Sequence, residues 1–303
     1  MSRRFMNLLT VLFLGTFATL GAAQSKLQLQ VYTGRGENGY DVNSTMVSGE
    51  KDMLLIDAQF SLPEAHRLAA VILESKKNLT TIYITHPHPD HMFGLAVLKQ
   101  AFPAARILAL PQAVAGARTG WPNRQKFWFP TYGNLIPGPE PVALEELTEP
   151  FLTLEGERFP VTGPVGGSDG PGNSFVHIPS LKAVVTGDIV FDHAYFGVQR
   201  DKGRADWLAS IDQIVALQPE IIVPGHEGPG ATRNLASIAF MKKYVADWDA
   251  NVAKSKDAAQ MRANVLKQYP KLGMPFTLDS RVATYFPAPG AQAPAAAPPP
   301  AVR

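Results

Sequence analysis

The chain of 303 residues contains no cysteine. That absence excludes disulfides, thiolate-ligated zinc fingers and a cysteine nucleophile, so stability has to come from an apolar core and any metals. A surplus of one charge is also missing. The 28 Lys and Arg against 26 Asp and Glu leave +2, too little to argue for a nucleic-acid partner. The glycine-rich stretch from Gly163 to Ser174 is not followed by Gly-Lys-Ser/Thr, which excludes a phosphate-cradling loop. The apolar run Phe5 to Leu20 is short for a membrane span. It follows the basic Met1-Ser2-Arg3-Arg4 and ends in Gly21-Ala22-Ala23-Gln24, the pattern of a secretory signal over residues 1–23 rather than an uncleaved anchor. The mature protein is therefore expected in the periplasm or outside the cell, without stable membrane insertion. The arginine pair alone does not establish a twin-arginine route.

Cleavage near Ala23 leaves about 280 residues, enough for one large α/β domain with a sizeable core. That domain is expected over residues 24–286, with the Pro/Ala-rich end, 287–303, disordered because it cannot bury a core. Short alternating or apolar runs at Leu27, Ser44 to Val47 and Met53 to Ile56 predict successive strands, and Ser61-Leu62-Pro63-Glu64 opens a helix. Between Gly120 and Pro150, the aromatics Trp121, Phe127, Trp128, Phe129 and Tyr132 are interleaved with six prolines and three glycines. This predicts an irregular insertion over about 120–150 with a mixed role, some of its aromatics roofing a pocket with apolar surface and others packing as a structural cover. The glycine-rich stretch from Gly163 is expected to be a loop. Helices are expected over Gly203 to Leu217, Ala231 to Ala253 and Asp257 to Tyr269.

The chemistry concentrates in Thr85-His86-Pro87-His88-Pro89-Asp90-His91, which comes directly after the strand-like run Leu79 to Ile84. Three of the chain's seven histidines stand here beside an aspartate. Alternate residues His86 and His88 can face one point, while Asp90 and His91, at the start of the next helix, can face a neighbouring one. Imidazole with carboxylate suits zinc or another first-row divalent metal better than magnesium or calcium. Two more strand-like runs end in candidate ligands: Lys182 to Val185 before Thr186-Gly187-Asp188, and Ile221 to Val223 before Pro224-Gly225-His226. Asp57, which closes a strand, could orient a ligand histidine or simply make a turn.

The His-x-His-x-Asp-His loop, the Thr-Gly-Asp segment and the Pro-Gly-His segment, in this order, resemble the signature of the metallo-β-lactamase superfamily. The resemblance implies an α/β fold, a four-layer αββα sandwich with metals at one edge of two sheets. It also implies that His86 and His88 bind a first metal and Asp90, His91 and His226 a second, with Asp188 between them. One position departs from the pattern. Where most members carry histidine in Gly-His-Thr/Ser-Pro-Gly, this chain reads Ser168-Asp169-Gly170-Pro171-Gly172, which makes Asp169 the remaining, seventh ligand. Its rival, His177, falls inside a predicted strand. With Asp169, two divalent ions (+4) and three carboxylates (−3) leave +1, against +2 with histidine, and Mn²⁺ or Fe²⁺ becomes more plausible beside two Zn²⁺.

Together with the secretory signal, the resemblance implies an exported hydrolase that uses a metal-bound hydroxide, with Asp90 receiving or relaying a proton. Its expected substrate is a lactone, ester or amide of a small apolar molecule, met by the aromatic insertion. His193 and Tyr195, just past Asp188, are further candidates for substrate contact. A β-lactamase is the alternative within the same chemistry. A mono-iron persulfide dioxygenase and a non-catalytic metal-binding protein are alternatives of other classes.

Overall fold

Alternate side chains of Met53-Leu54-Leu55-Ile56 enter different cores, and that alternation explains the layering. Leu54 and Ile56 join Tyr83, Phe159, Val161, Val176 and Val185 in an apolar layer between two sheets. Met53 and Leu55 join Leu68, Ile72, Ile82 and Ile84 beneath helices on the outer face. A strand buried on both faces has to be apolar at every position. The computed structural model describes residues 26–287. The expected signal segment, 1–23, and the expected disordered end beyond Pro287 lie outside the described residues.

The first half of the chain runs through β1 (Gln28–Thr33), the single turn α1 (Gly36–Gly39), β2 (Asn43–Ser48), β3 (Asp52–Ile56), α2 (Leu62–Glu74), β4 (Asn78–Ile84), α3 (Pro89–Met92), α4 (Leu95–Ala101), β5 (Arg106–Ala109), α5 (Pro111–Tyr132) and β6 (Glu145–Glu146). Its strands form one sheet in the order β1-β2-β3-β4-β5-β6. The first two pairings are antiparallel, and β3 to β6 are parallel. The second half contributes β7 (Phe151–Leu154), β8 (Glu157–Gly167), β9 (Gly170–Ile178), β10 (Ala183–Val185), β11 (Phe191–Asp192), α6 (Asp201–Ala216), β12 (Ile221–Val223), β13 (His226–Glu227), α7 (Leu235–Lys254), α8 (Ala258–Gln268) and α9 (Leu278–Ala283). The second sheet has the order β12-β10-β9-β8-β7, and β11 pairs with β13. With helices on both outer faces this is the four-layer αββα sandwich.

Parallel pairing decides where chemistry can collect. β3 runs parallel to β4, and β10 parallel to β12, so residues beyond the ends of these strands leave their sheets in common directions. Tyr83 and Ser174 tie the two sheets together through a 2.7 Å hydroxyl contact, and Ser174 Oγ donates to the Thr85 carbonyl at 2.7 Å. The start of the His86 loop is thereby fixed to the second sheet.

Two expectations fail. The aromatic stretch from Trp121 to Tyr132 is not an irregular insertion but part of α5, which holds Pro122 and Pro130 inside it. Each internal proline removes a hydrogen bond and costs on the order of 3 kcal/mol in a helix. Against that, Trp121, Gln125 and Tyr132 repeat at helical spacing and are buried, with Trp128 half-buried on the same side. Burial of this face outweighs the local preference. The glycine-rich stretch is likewise not an open loop: β8 and β9 pair across it as a hairpin, with Gly167 opposite Gly170 and Ser168-Asp169 at the tip.

Candidate metal centre

Each candidate ligand comes just after a strand or sits at a hairpin tip. His86 and His88 come after β4, and Asp90 and His91 lie in α3, directly beyond them. Asp169 caps the β8–β9 hairpin, Asp188 comes after β10, and His226 opens β13 after β12. The fold gathers these seven into two groups. His86, His88, Asp169 and Asp188 form one, and Asp90, His91 and His226 the other, with potential ligand atoms in each within 4.8 Å of one another. Asp188 faces both groups. Its Oδ2 lies 3.7 Å from His86 Nε2, while Oδ1 lies 3.0 Å from His91 Nε2 and 3.2 Å from His226 Nε2.

The glycines of the two later motifs make room for that carboxylate. A Cβ on Gly225 would stand 2.3 Å from Asp188 Oδ1, and one on Gly187, whose φ is +50°, would meet Thr85 Oγ1 at 2.8 Å. Side chains at either position would push the ligand-bearing segments apart.

The outward nitrogens of three histidines are anchored. His91 Nδ1 donates to Asp57 Oδ2 at 2.8 Å, and His226 Nδ1 donates to the Tyr40 carbonyl at 2.8 Å. His86 Nδ1 lies 3.1 Å from Thr85 Oγ1. Asp57 also accepts from Thr85 N and Oγ1, so its role is orientation rather than a free turn. Carboxylate and carbonyl partners fix the proton of His91 and His226 on Nδ1 and leave each Nε2 with its lone pair turned inward. These two bare nitrogens face each other at 3.4 Å.

Acceptors facing acceptors are repulsive unless a positive charge lies between them. Nε2 of His86, Oδ2 of Asp169 and Oδ1 of Asp188 are buried and make no hydrogen bond, although other ligand atoms lie only 2.5 to 3.7 Å away. Asp169 Oδ1 is held by Asn173 Nδ2 at 3.2 Å, which turns Oδ2 toward His88 and His86. The ionisation equilibria express the same demand for positive charge. Burial opposes the charge on His226, but Asp188 and Asp90 outweigh it and push the imidazolium up to about 9. Burial likewise opposes charge on Asp90, yet His226 and His91 hold that carboxyl at about 2. A buried set of four histidines and three aspartates with orphaned, converging lone pairs fits divalent metal ions.

Sequence reasoning placed His193 and Tyr195 near this centre, and the structure gives both other work. His193 Nδ1 is 2.6 Å from Asp192 Oδ1, and its ring stacks on Phe240 at 4.6 Å. Tyr195 is 1% exposed, and its hydroxyl donates to the Tyr269 carbonyl. β11 itself pairs beside His226 through Phe191, but past it the Ala194–Gly273 bridge and the contacts with Phe240 and Tyr269 commit His193 and Tyr195 to α7 and the end of α8. His177 stands within β9 opposite Val184, outside both groups. A cavity of about 720 Å³ beside Glu227 is lined by Arg35, Asp41, Arg233 and Pro275, and none of the seven gathered residues lines it.

Two residues near the centre, Tyr40 and Arg124, had no signal in the motifs, and Tyr132 stood out only as one of the aromatic stretch. The rings of Tyr40 and Tyr132 lie 6.4 Å apart. Burial pushes both phenols up, and the charge of Asp90 reaches each. Arg124 of α5 adds a guanidinium whose charge reaches Asp90 and Asp169. A helical reading of 111–132 would have placed Arg124, Trp128 and Tyr132 on one stripe, at intervals of four.

Comparisons with known proteins agree with this geometry. The family model described as the metallo-beta-lactamase superfamily matches residues 38–226. No curated protein matches the chain. Among solved structures, a metallo-beta-lactamase family protein of Thermus thermophilus shares 19% identity over 85% of this chain and 91% of its own, with a TM-score of 0.57. A beta-lactamase domain protein of Burkholderia ambifaria shares 15% over 85% and 84%, also at 0.57. The BLEG-1 B3 metallo-beta-lactamase shares 18% over 72% and 99%, at 0.55. At such identities the likeness concerns the fold.

Proposed function

The chain belongs to the metallo-beta-lactamase superfamily, and on that premise we propose that it is an exported metal-dependent hydrolase holding two zinc ions. Its substrate in this reading is a lactone, ester or amide of a small apolar molecule. The observation that carries the proposal is Asp188, one carboxylate turned toward both ligand groups at once. His86, His88 and Asp169 would hold one metal, and Asp90, His91 and His226 the other. Divalent ions at these positions supply Lewis acidity and an activated water.

The protein's own groups have separable tasks. Asp57 and the Tyr40 carbonyl orient His91 and His226. Asp90, at 15% side-chain exposure the most open of the three inner carboxylates, is placed to hold or pass a proton. Tyr40, Trp128 and Tyr132 form an aromatic wall, with Trp128 5.8 Å from each of the other two rings. Such a wall favours an apolar substrate body. Manganese or iron is the alternative metal, because Asp169 is a harder ligand than histidine.

Metal analysis of the purified protein, combined with a screen of lactones, esters, amides, β-lactams and phosphodiesters, tests this reading. Two equivalents of metal and turnover that disappears in Asp188→Ala are expected. Unchanged activity of Asp188→Ala on a confirmed substrate would refute it.

A further inference from the structure

The helix α5 carries a second feature beside the metal loop that its aromatic residues do not explain. Gly116, Gly120, Arg124, Trp128 and Tyr132 recur every four residues and so form one stripe. Glycine inside a helix is unfavourable relative to alanine, and here there are two. Both are occupied by close approaches. A Cβ on Gly116 would stand 2.9 Å from Pro87 Cγ, the residue between His86 and His88. A Cβ on Gly120 would stand 2.6 Å from Arg124 Nη1 and 3.0 Å from Cζ. The arginine thus lies back along its own helix, over Gly120, and Nη1 donates to the Gly116 carbonyl at 3.2 Å. Side chains on a helix lean toward its N-terminus, so the notch uses the direction the geometry already favours.

The guanidinium seated there is half-buried; its charge reaches Asp90 and Asp169, but those carboxylates take His226 and His88 as their near partners, and no described carboxylate lies within 4.0 Å of it. One of its five N–H groups is accounted for by Gly116. A desolvated arginine with donors to spare, held next to a metal loop, is matched by an oxyanion arriving from outside. We propose that Gly116, Gly120 and Arg124 form an anion subsite beside the metal centre, which selects substrates bearing a carboxylate or phosphate group. This rests on the hydrolase reading and refines it: the aromatic wall takes the apolar body, and Arg124 takes a charged end. Arg124 is a specificity residue, and the reacting bond lies elsewhere, at the ligand cluster.

The test uses the full zinc-loaded protein, with Arg124→Gln, Arg124→Lys and Gly120→Ala beside it. Calorimetry measures binding of glutarate and of inorganic phosphate. Kinetics compare 4-nitrophenyl hydrogen glutarate, which keeps one free carboxylate, with neutral 4-nitrophenyl butyrate. Arg124→Gln is expected to weaken anion binding by about tenfold or more and to lower the charged-to-neutral ratio of kcat/KM by a similar factor. Arg124→Lys should recover only part of both, because it keeps the charge but not the fork. Gly120→Ala leaves the arginine in the sequence but fills its seat, and should behave like Arg124→Gln; it also carries the test if Arg124→Gln fails to fold. Whichever of the two anions binds more tightly identifies the group as carboxylate or phosphate.

Anion binding and a kcat/KM ratio that do not move in any of the three variants would overturn the subsite, whether or not the esters are hydrolysed. If the wild type turns over neither ester, yet binds the anions through Arg124, the subsite stands and the hydrolase reading is the one in difficulty.

Discussion

His91 donates its Nδ1 proton to Asp57 across 2.8 Å, and this bond decides which nitrogen of the ring faces the other ligands. Asp57 has a φ of +65°, an uncommon conformation for a residue other than glycine. It spends its carboxylate on His91 and Thr85 together. Replacement by Asn keeps the shape but weakens the orientation of His91. Asp57→Asn is expected to lower metal affinity by about ten- to a hundredfold, as measured by competition with a chromogenic chelator. Affinity equal to wild type would mean that α3 packing alone positions His91.

Asp169 offers a direct test of the ligand that departs from the family pattern. Asp169→Ala removes one of four ligands from the His86 group and leaves the His91 group whole. Metal content should fall from two equivalents to one, by elemental analysis after dialysis. Asp169→His should retain both ions, since imidazole and carboxylate bind zinc at similar distances. Two tightly held ions in Asp169→Ala would remove Asp169 from the ligand set.

Gly225 precedes His226, and its Cα faces the Asp188 carboxylate. An alanine there meets both that carboxylate, at 2.3 Å, and the Gly187 backbone, whose carbonyl would lie 2.7 Å from the new methyl, so the two segments have to move apart. The expected cost is about 1 to 3 kcal/mol by chemical denaturation, together with loss of metal and activity. A fully stable variant that still binds two ions would show that Asp188 can relocate freely.

Acid stability should depend on Glu155, far from the centre. Its carboxylate accepts the backbone N–H groups of Glu50, Lys51 and Asp52 at 2.5 to 2.8 Å. These bonds join the β2–β3 turn to the β7–β8 turn and hold the carboxyl down to about 2. Because the folded value lies below the ordinary one, the contribution is present above about pH 4.5 and is lost as pH falls through about 2. Glu155→Gln should therefore melt below wild type at pH 6 and approach it near pH 2. A difference that persists unchanged at pH 2 would mean that the ionised carboxylate is not what matters.

Several parts of this molecule are local properties of the chain. The ligand-bearing segments stand out because their residues are adjacent in sequence or come after short apolar strands, and the αββα fold is what their resemblance to the metallo-β-lactamase signature implies. The start of α2 is equally local: Ser61 accepts from the Glu64 N–H, with Pro63 in the first turn, as the sequence predicts.

Other features had no local signature. The prolines at 122 and 130 argued against a helix, and only burial of Trp121, Gln125 and Tyr132 against the rest of the fold reverses that preference. The glycines around Asp169 read as a loop because strand pairing is a property of two segments, not one. Proximity in sequence made His193 and Tyr195 look like substrate contacts near Asp188, but His193 is taken up by Asp192 and Phe240 and Tyr195 by the Tyr269 carbonyl. The inward nitrogen of each histidine, the seat of Arg124 and the placing of Asp188 between two ligand groups depend on contacts between residues far apart in the chain. Sequence alone determined which side chains were available to hold a metal. Tertiary structure decided which of their atoms converge, because orientation is set by partners such as Asp57, Tyr40 and Asn173 that are brought close only when the chain folds.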